Sequence, residues 1–302
     1  MSARTVGFIG LGIMGVPMAS NLVDVGFDVV VWARSAPPRD ELVARGARAA
    51  ESVAGVFAAA ETVILMLRDE PAVDAVLARG TDDFARLVAE RTVVQMGTFT
   101  TAFSQELTAD VAAAGGRYVE APVSGSRGPA IEGTLVGMLA GEPEVLDHVE
   151  PVVAAMCAQT FRCGDIPKAL TMKLAVNTYL ITMVTGLAET IHFAERAGAD
   201  LGVLREVLAA GPMASAVSRG KAQKLAAGDL SAQAAIADVL KNARLAEDAA
   251  RAVGSAHPLI TASRRLYEEA VDAGWGDVDM IGVIEALAAR SARTDETTKE
   301  RS

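Results

Sequence analysis

The sequence predicts an α/β protein of two parts: a doubly wound parallel sheet, then an all-helical domain joined to it by one long helix. Up to about Gly164, short apolar strands alternate with helical segments across short connections, the pattern of a parallel sheet. After Gly164 strand signals disappear, and helices follow, broken at Gly198, Gly211-Pro212, Gly228 and His257-Pro258. Between the halves lies LTMKLAVNTYLITMVTGLA, from Leu170 to Ala188, uncharged from Leu174 onward. A helix of that composition must be buried nearly all round. The boundaries expected are 1–164 for the sheet domain, 165–292 for the helical domain, and a polar, disordered tail over 293–302 (RTDETTKERS).

Composition narrows the function. With 302 residues, 51% hydrophobic and 22% charged, the chain can bury a large core. A net charge of −10 argues against a nucleic-acid or anionic-membrane partner. Cys157 and Cys163 match no zinc pattern, and His148, His192 and His257 form no metal or nucleophile cluster, so no metal is expected. His192, with Glu189 and Glu195 three residues to either side, reads as a helix-surface pair. Met1–Arg4 leads directly into a strand with no signal peptide, and the longest uncharged run falls short of a bilayer span. A reducing cytoplasm is the expected compartment.

Thr5–Ile9 reads as a buried strand followed at once by Gly10-Leu11-Gly12-Ile13-Met14-Gly15 and a helix to about Val25, with Pro17 in its first turn and Gly26 as its stop. Strand, G-x-G-x-x-G, helix, strand is the context that turns a weak motif into a Rossmann-type dinucleotide site. The glycines permit a tight turn and let backbone N–H groups approach a pyrophosphate. The second strand, Asp28–Ala33, ends where the adenosine ribose lies. There an NAD site would place Asp or Glu; this chain has Arg34 and Ser35, with Arg39 close behind. A guanidinium suits a 2′-phosphate, so NADP(H) is expected over NAD(H).

Further units follow: helices near 39–45, 71–77 and 102–114, and strands near 62–66, 92–96, 117–120 and 134–140. Ligands bind at the carboxyl ends of such strands, which puts the loops 67–70 and 97–101 over the cofactor. Ser124-Gly125 follows a strand and offers a hydroxyl with adjacent N–H groups, donors suited to a carboxylate; as a bare pair it is equally a turn. Lys173 and Asn177 stand one helical turn apart at the start of the long apolar helix. The lysine is either a surface residue with its stem on apolar neighbours or an ammonium held in a cleft.

Taken together these residues resemble the β-hydroxyacid dehydrogenase family. Four ordered blocks carry the resemblance: GFIGLGIMGVPMASNL from Gly7, EAPVSGSRGPAIEGTL from Glu120, MKLAVN from Met172 and LKNARLAEDA from Leu240. The Ser-Gly-Ser form and GPMASAVSRGK from Gly211 look most like the glyoxylate/succinic semialdehyde reductase branch. The resemblance implies an NADPH-dependent reductase of a small aldehyde or keto acid, with Lys173 as proton donor. It implies that Ser124, Gly125 and Asn177 hold the substrate and that Lys241 closes the far side of the pocket. The cofactor would be held by Gly10, Leu11, Gly12, Ile13, Met14, Gly15, Arg34, Ser35, Thr98 and Lys241. A homodimer formed through the helical half is also implied.

Several positions depart from the family pattern. Asn242 stands where Asp is usual, and Ala234 where the nearest branch has a pocket phenylalanine. Gln95 and Gly97 replace Asp and Ser, Ala33 replaces Asn, and Pro38 replaces a lysine. These changes point to a bulkier or less acidic carbonyl substrate. Two other readings stay open. Imine reductases share the fold but usually carry Asp or Tyr in place of the lysine, and a non-catalytic NADPH-binding scaffold would tolerate the Asn242 and Ala234 changes.

Overall fold

The structure, a computed structural model, describes residues 4–300. Residues 1–3, before the first strand, and the last two residues of the expected tail lie outside the described residues. The chain divides into two compact units, Met1–Lys173 and Leu174–Ser302.

The first unit begins with β1 (Thr5–Ile9), α1 (Gly15–Asp24), β2 (Asp28–Trp32), α2 (Ala36–Ala44), β3 (Arg48–Ala49) and α3 (Val53–Ala59). It continues through β4 (Thr62–Leu65), α4 (Glu70–Leu77), α5 (Asp82–Val88), β5 (Thr92–Gln95), α6 (Thr101–Ala113) and β6 (Arg117–Glu120). Then come β7 (Val123–Ser124), α7 (Arg127–Ile131), β8 (Leu135–Ala140), α8 (Pro143–Ala154) and β9 (Cys157–Gly164). The sheet runs β3-β2-β1-β4-β5-β6-β8-β7, with β9 paired to β8. It is parallel from β3 to β6, and the strand order reverses at β1, which opens a crevice between the ends of β1 and β4.

Alternation explains why β1 and β4 are buried on both faces. Val6, Phe8 and Ile64 join one core with Met18 and Leu22 of α1, while Ile9, Val63 and Leu65 join the other with Val56, Val73 and Leu107. The far edge differs from the all-parallel expectation: β8 runs antiparallel to β6 and β7. The connections give the reason. Two residues separate β6 from β7 and ten separate β7 from β8, too few for a crossover of a dozen or more. The longer link through α8 makes β9 parallel to β8. Helices α3, α5, α7 and α8 add to those expected from sequence, and α2 starts earlier, at Ala36.

The helical series is α9 (Lys168–Arg196), α10 (Leu201–Ala210), α11 (Ala216–Ala226), α12 (Ile236–Ala252), α13 (Pro258–Asp272), a 3-10 turn at Met280–Val283, and α14 (Ile284–Glu300). The first turns of α9, to Lys173, belong to the first unit. In the second unit Ile181, Val184, Leu187 and Ala188 of α9 pack with Val239, Leu240 and Ala243 of α12 and with Tyr267 of α13. By length and composition alone α9 could cross a membrane, so the short uncharged run did not reveal its full apolar reach.

Two sequence expectations are corrected here. The tail expected to be disordered from 293 continues α14 to Glu300, and Arg196 grips Asp295 through both guanidinium nitrogens at 2.8 and 2.9 Å. His192 meets Ser291 Oγ at 2.8 Å instead of forming a pair with its helix neighbours.

One buried ion pair anchors the second unit. Lys221 Nζ donates to both oxygens of Asp279 at 2.8 Å, with exposures of 7% and 0%. Asp279 also accepts from the N–H groups of Gln233 and Ile281, so it ties α11, the segment before α12 and the 3-10 turn together. Lys221→Met leaves that carboxylate buried without its counter-ion and is expected to cost about 3–5 kcal/mol. Calorimetry should show a lowered midpoint, recovered only in part in Lys221→Met/Asp279→Leu, because the Gln233 and Ile281 N–H groups then lose their acceptor; an unchanged midpoint in the single variant would remove the anchoring role.

Candidate active site

A cavity of about 430 Å³ opens at the carboxyl ends of β1, β2 and β4, lined by Gly10, Leu11, Gly12, Arg34 and Ser35 together with Trp32, Met66, Leu67 and Arg68. Its turn is built by steric necessity. Gly10 has φ +105°, and a Cβ there would meet the Met66 carbonyl oxygen at 2.2 Å. A Cβ on Gly15 would lie 1.8 Å from the Gly10 carbonyl oxygen, so the helix could not approach the strand. A Cβ on Gly12 would meet no protein atom within 4 Å. The open space beside Gly12 belongs to the cavity, which is the shape a closely approaching ligand backbone requires. Helix α1 begins there with no side chain capping its first turn, whereas Ser52, Asp69, Thr81 and Thr100 cap α3, α4, α5 and α6. Uncapped N–H groups and the positive helix end suit a phosphate.

Other members of the expected cofactor set divide by role. Met14 packs against the sheet core and Ile13 is 55% exposed; neither lines the cavity. Arg34 and Ser35 are exposed at its mouth, and no hydrogen bond or ion pair engages Arg34 among the described residues. Arg39 is instead bound by Asp40 at 3.0 Å. Sequence reasoning missed Arg68, a second guanidinium on the cavity wall; its signal was a cation three residues beyond the end of β4.

The two loops expected over the cofactor are locked to each other. Glu70 Oε1 accepts from the Thr100 N–H at 2.9 Å and its hydroxyl at 2.7 Å. Thr98 lies half-buried in the second loop. The Gly97 departure has a structural cause: a Cβ there would stand 2.5 Å from the Phe99 ring and 2.7 Å from the Leu67 carbonyl oxygen. Gln95, 1% exposed, accepts from the Gly97 N–H at 2.9 Å, while its Nε2 is buried without a hydrogen-bond partner.

Ser124 ends β7 half-buried, and Gly125 turns the chain with φ +131°. A Cβ on Gly125 would meet Leu135 Cδ2 at 2.6 Å, so only glycine presents this turn's N–H groups beside the serine hydroxyl. Lys173 is 7% exposed on α9, closing the first unit. One turn on, in the second unit, Asn177 is 3% exposed and its amide nitrogen makes no hydrogen bond among the described residues. Lys241 lies on α12, half-buried, and Asn242 Oδ1 beside it is buried without a partner. Ala234 precedes α12, its N–H directed at Asp279 Oδ2 at 3.4 Å. The structure therefore gathers Gly10, Leu11, Gly12, Arg34 and Ser35 on one cavity, and places Ser124, Gly125 and Lys173 in the same unit. Asn177 and Lys241 belong to the helical unit.

The chain matches known proteins along nearly its full length. Residues 5–164 match the NAD binding domain of 6-phosphogluconate dehydrogenase, and residues 168–287 the NAD-binding family of NADP-dependent 3-hydroxyisobutyrate dehydrogenase. Glyoxylate/succinic semialdehyde reductase 2 of Arabidopsis thaliana is 32% identical over 290 residues, covering 96% of this chain and 81% of that protein. Reductase 1 of the same plant is 30% identical, covering 93% and 98%. A 3-hydroxyisobutyrate dehydrogenase from Salmonella typhimurium superposes with a TM-score of 0.85 at 26% identity, over 93% of this chain and 99% of the other. The glycine turn, the open wall beside Gly12 and these matches agree on a bound nicotinamide dinucleotide. The chain belongs to the β-hydroxyacid dehydrogenase family of NAD(P)-dependent oxidoreductases.

Proposed function

We propose that the protein is an NADPH-dependent reductase of a small aldehyde or keto acid, with Lys173 as the proton donor. The observation that carries the reading is a buried ammonium followed one turn later by a buried amide whose nitrogen has no acceptor among the described residues. Buried donors without partners are costly, and a bound carbonyl or carboxylate oxygen supplies what Asn177 lacks. The named activities of the plant relatives support the same substrate class.

In this reading Gly10, Leu11 and Gly12 hold the pyrophosphate in the cavity before α1, with Gly15 letting the helix approach the strand; Arg34 and Ser35 take the 2′-phosphate, and Thr98 and Lys241 complete the cofactor site. When bound, NADPH supplies the hydride that reaches the carbonyl carbon. Ser124 and Gly125 fix the substrate carboxylate with a hydroxyl and backbone N–H groups. Asn177 and Lys241 hold its remaining polar edge. Lys173 hydrogen-bonds the carbonyl oxygen, stabilises the negative charge that develops there, and transfers a proton from Nζ to give the alcohol. The neutral amine then recovers its proton from solvent. The partner of the helical unit is a second copy of this chain: α10 has no buried residue and exposes Leu201, Val203 and Val207.

A panel of semialdehydes, glyoxylate, bulkier keto acids and cyclic imines, followed by NADPH absorbance, tests the assignment. Turnover of at least one carbonyl compound is expected. Turnover of imines alone would reassign the chemistry, and tight NADPH binding with no turnover would make the protein a scaffold. With the active compound, Arg34→Ala is expected to raise the KM for NADPH by about 10- to 100-fold, the worth of charge-assisted hydrogen bonds, and to leave NADH unaffected. Equal effects on the two cofactors would remove the 2′-phosphate role.

A further inference from the structure

Glu120 ends β6, four residues before Ser124, and its side chain is wholly buried. One oxygen accepts from Ser104 Oγ at 2.5 Å, and Ser104 in turn lies 3.3 Å from the hydroxyl of buried Tyr118. The other oxygen accepts from the backbone N–H of Leu170 at 3.1 Å, and the nearby Ala169 N–H dipole also favours the charged carboxylate. Burial pushes the Glu120 pKa up, and these three groups work against that rise.

The first turn of α9 shows what this carboxylate does. Its opening N–H groups have no acceptor within the helix. The N–H of Lys168 reaches the Asp165 carbonyl at 2.9 Å, and that of Thr171 reaches the Pro167 carbonyl at 3.0 Å. That of Leu170, which is buried, goes to Glu120, and the buried Ala169 N–H lies where its dipole favours the same carboxylate. Helices α3, α4, α6 and α10 are capped by the side chain just before them, Ser52, Asp69, Thr100 and Asp200. α9 instead takes its acceptor from a residue 50 positions away in sequence. That bond joins the end of β6, which leads into the Ser124-Gly125 turn, to the helical turn that immediately precedes Lys173.

The geometry points to Glu120 as a positioning residue that fixes the Lys173 turn of α9 against the strand leading to Ser124 and Gly125. The inference rests on Lys173 being the proton donor. A carboxylate suits the task because it is acceptor-only and can take the Leu170 N–H on one oxygen and the Ser104 hydroxyl on the other at once. Glutamine at this position has the same shape but must aim an NH2 group at one of those donors, leaving a buried donor unmet.

The test uses full-length Glu120→Gln and Glu120→Asp with NADPH and a carbonyl compound that the wild type reduces. For Glu120→Gln, kcat is expected to fall by about 100-fold, the cost of misplacing a reacting group by an ångström, with the KM for NADPH unchanged. Amide hydrogen exchange over residues 168–173 should accelerate in the same variant. Glu120→Asp keeps the charge and should recover at least about tenfold of the lost kcat. Three results would each overturn the positioning role: kcat near the wild-type value in Glu120→Gln, exchange over 168–173 unchanged, or kcat, KM and thermal midpoint all collapsing together. Lys173→Ala, assayed alongside, separates the two claims. Turnover that survives it removes the proton-donor reading, while the exchange data still decide whether Glu120 holds the turn.

Discussion

Replacing Lys173 with alanine is expected to cut kcat by about 10²- to 10⁴-fold while NADPH still binds. That range is the usual contribution of a positioned general acid, and it applies because the ammonium is 7% exposed. Water cannot readily substitute for a donor in such a place, and the charge that develops on a carbonyl oxygen would be left unstabilised. The cofactor turn lies at the other end of the first unit's sequence, so its binding should persist. Lys173→Arg is the informative companion. Arginine keeps a charged donor but does not release a proton in proteins, so it should retain part of the charge stabilisation and lose the transfer. Stopped-flow measurement of NADPH oxidation, with cofactor affinity from fluorescence titration, reads both quantities. Turnover of Lys173→Ala near the wild-type rate would end the proton-donor assignment.

The second large effect contrasts two glycines of one motif. Gly15→Ala would put a Cβ 1.8 Å from the Gly10 carbonyl oxygen, a backbone atom that cannot move without breaking the β1–α1 turn. It should destabilise the fold by about 1–3 kcal/mol or more, as overpacking does, and abolish cofactor binding with it. Gly12→Ala meets no protein atom within 4 Å, and Gly12 does not have a positive φ. That variant should be as stable as the wild type, or more stable by about 0.4–1 kcal/mol, because alanine restricts the unfolded chain. Its affinity for NADPH should nonetheless fall by at least about tenfold, since the methyl projects into the cavity where the pyrophosphate would lie. Thermal midpoints and cofactor titration separate the cases. Gly12→Ala binding NADPH normally would place the dinucleotide elsewhere.

Features that depend on residues near one another in sequence were readable without coordinates. The apolar runs of β1, β4 and β5, the glycine turn, the start of α6 and the long apolar helix all follow from periodicity and backbone restriction, which act within a few residues. So did the change from α/β to all-α after Gly164 and the family resemblance, now matched over residues 5–164 and 168–287. Short elements escaped because their own propensity is weak. Helix α3 is seven residues with a glycine and two valines, and it exists because Ser52 caps Gly55 and because Val56 and Phe57 are buried in the sheet's core.

What only the tertiary structure decided are the features whose partners lie far apart along the chain. The antiparallel edge at β8 depends on which strand a short connection can reach, not on any residue in β8 itself. Gly97, a departure from the family pattern by sequence, proved to be required by the Phe99 ring and the Leu67 carbonyl. Arg68 joined the cavity wall because β4 neighbours β1 in the sheet. Glu120 finds its acceptor role on an amide 50 residues on, and Lys221 meets Asp279 across 58. Local sequence sets the backbone a segment prefers; which buried charge meets which donor is decided by packing, where leaving either one unpaired costs several kcal/mol.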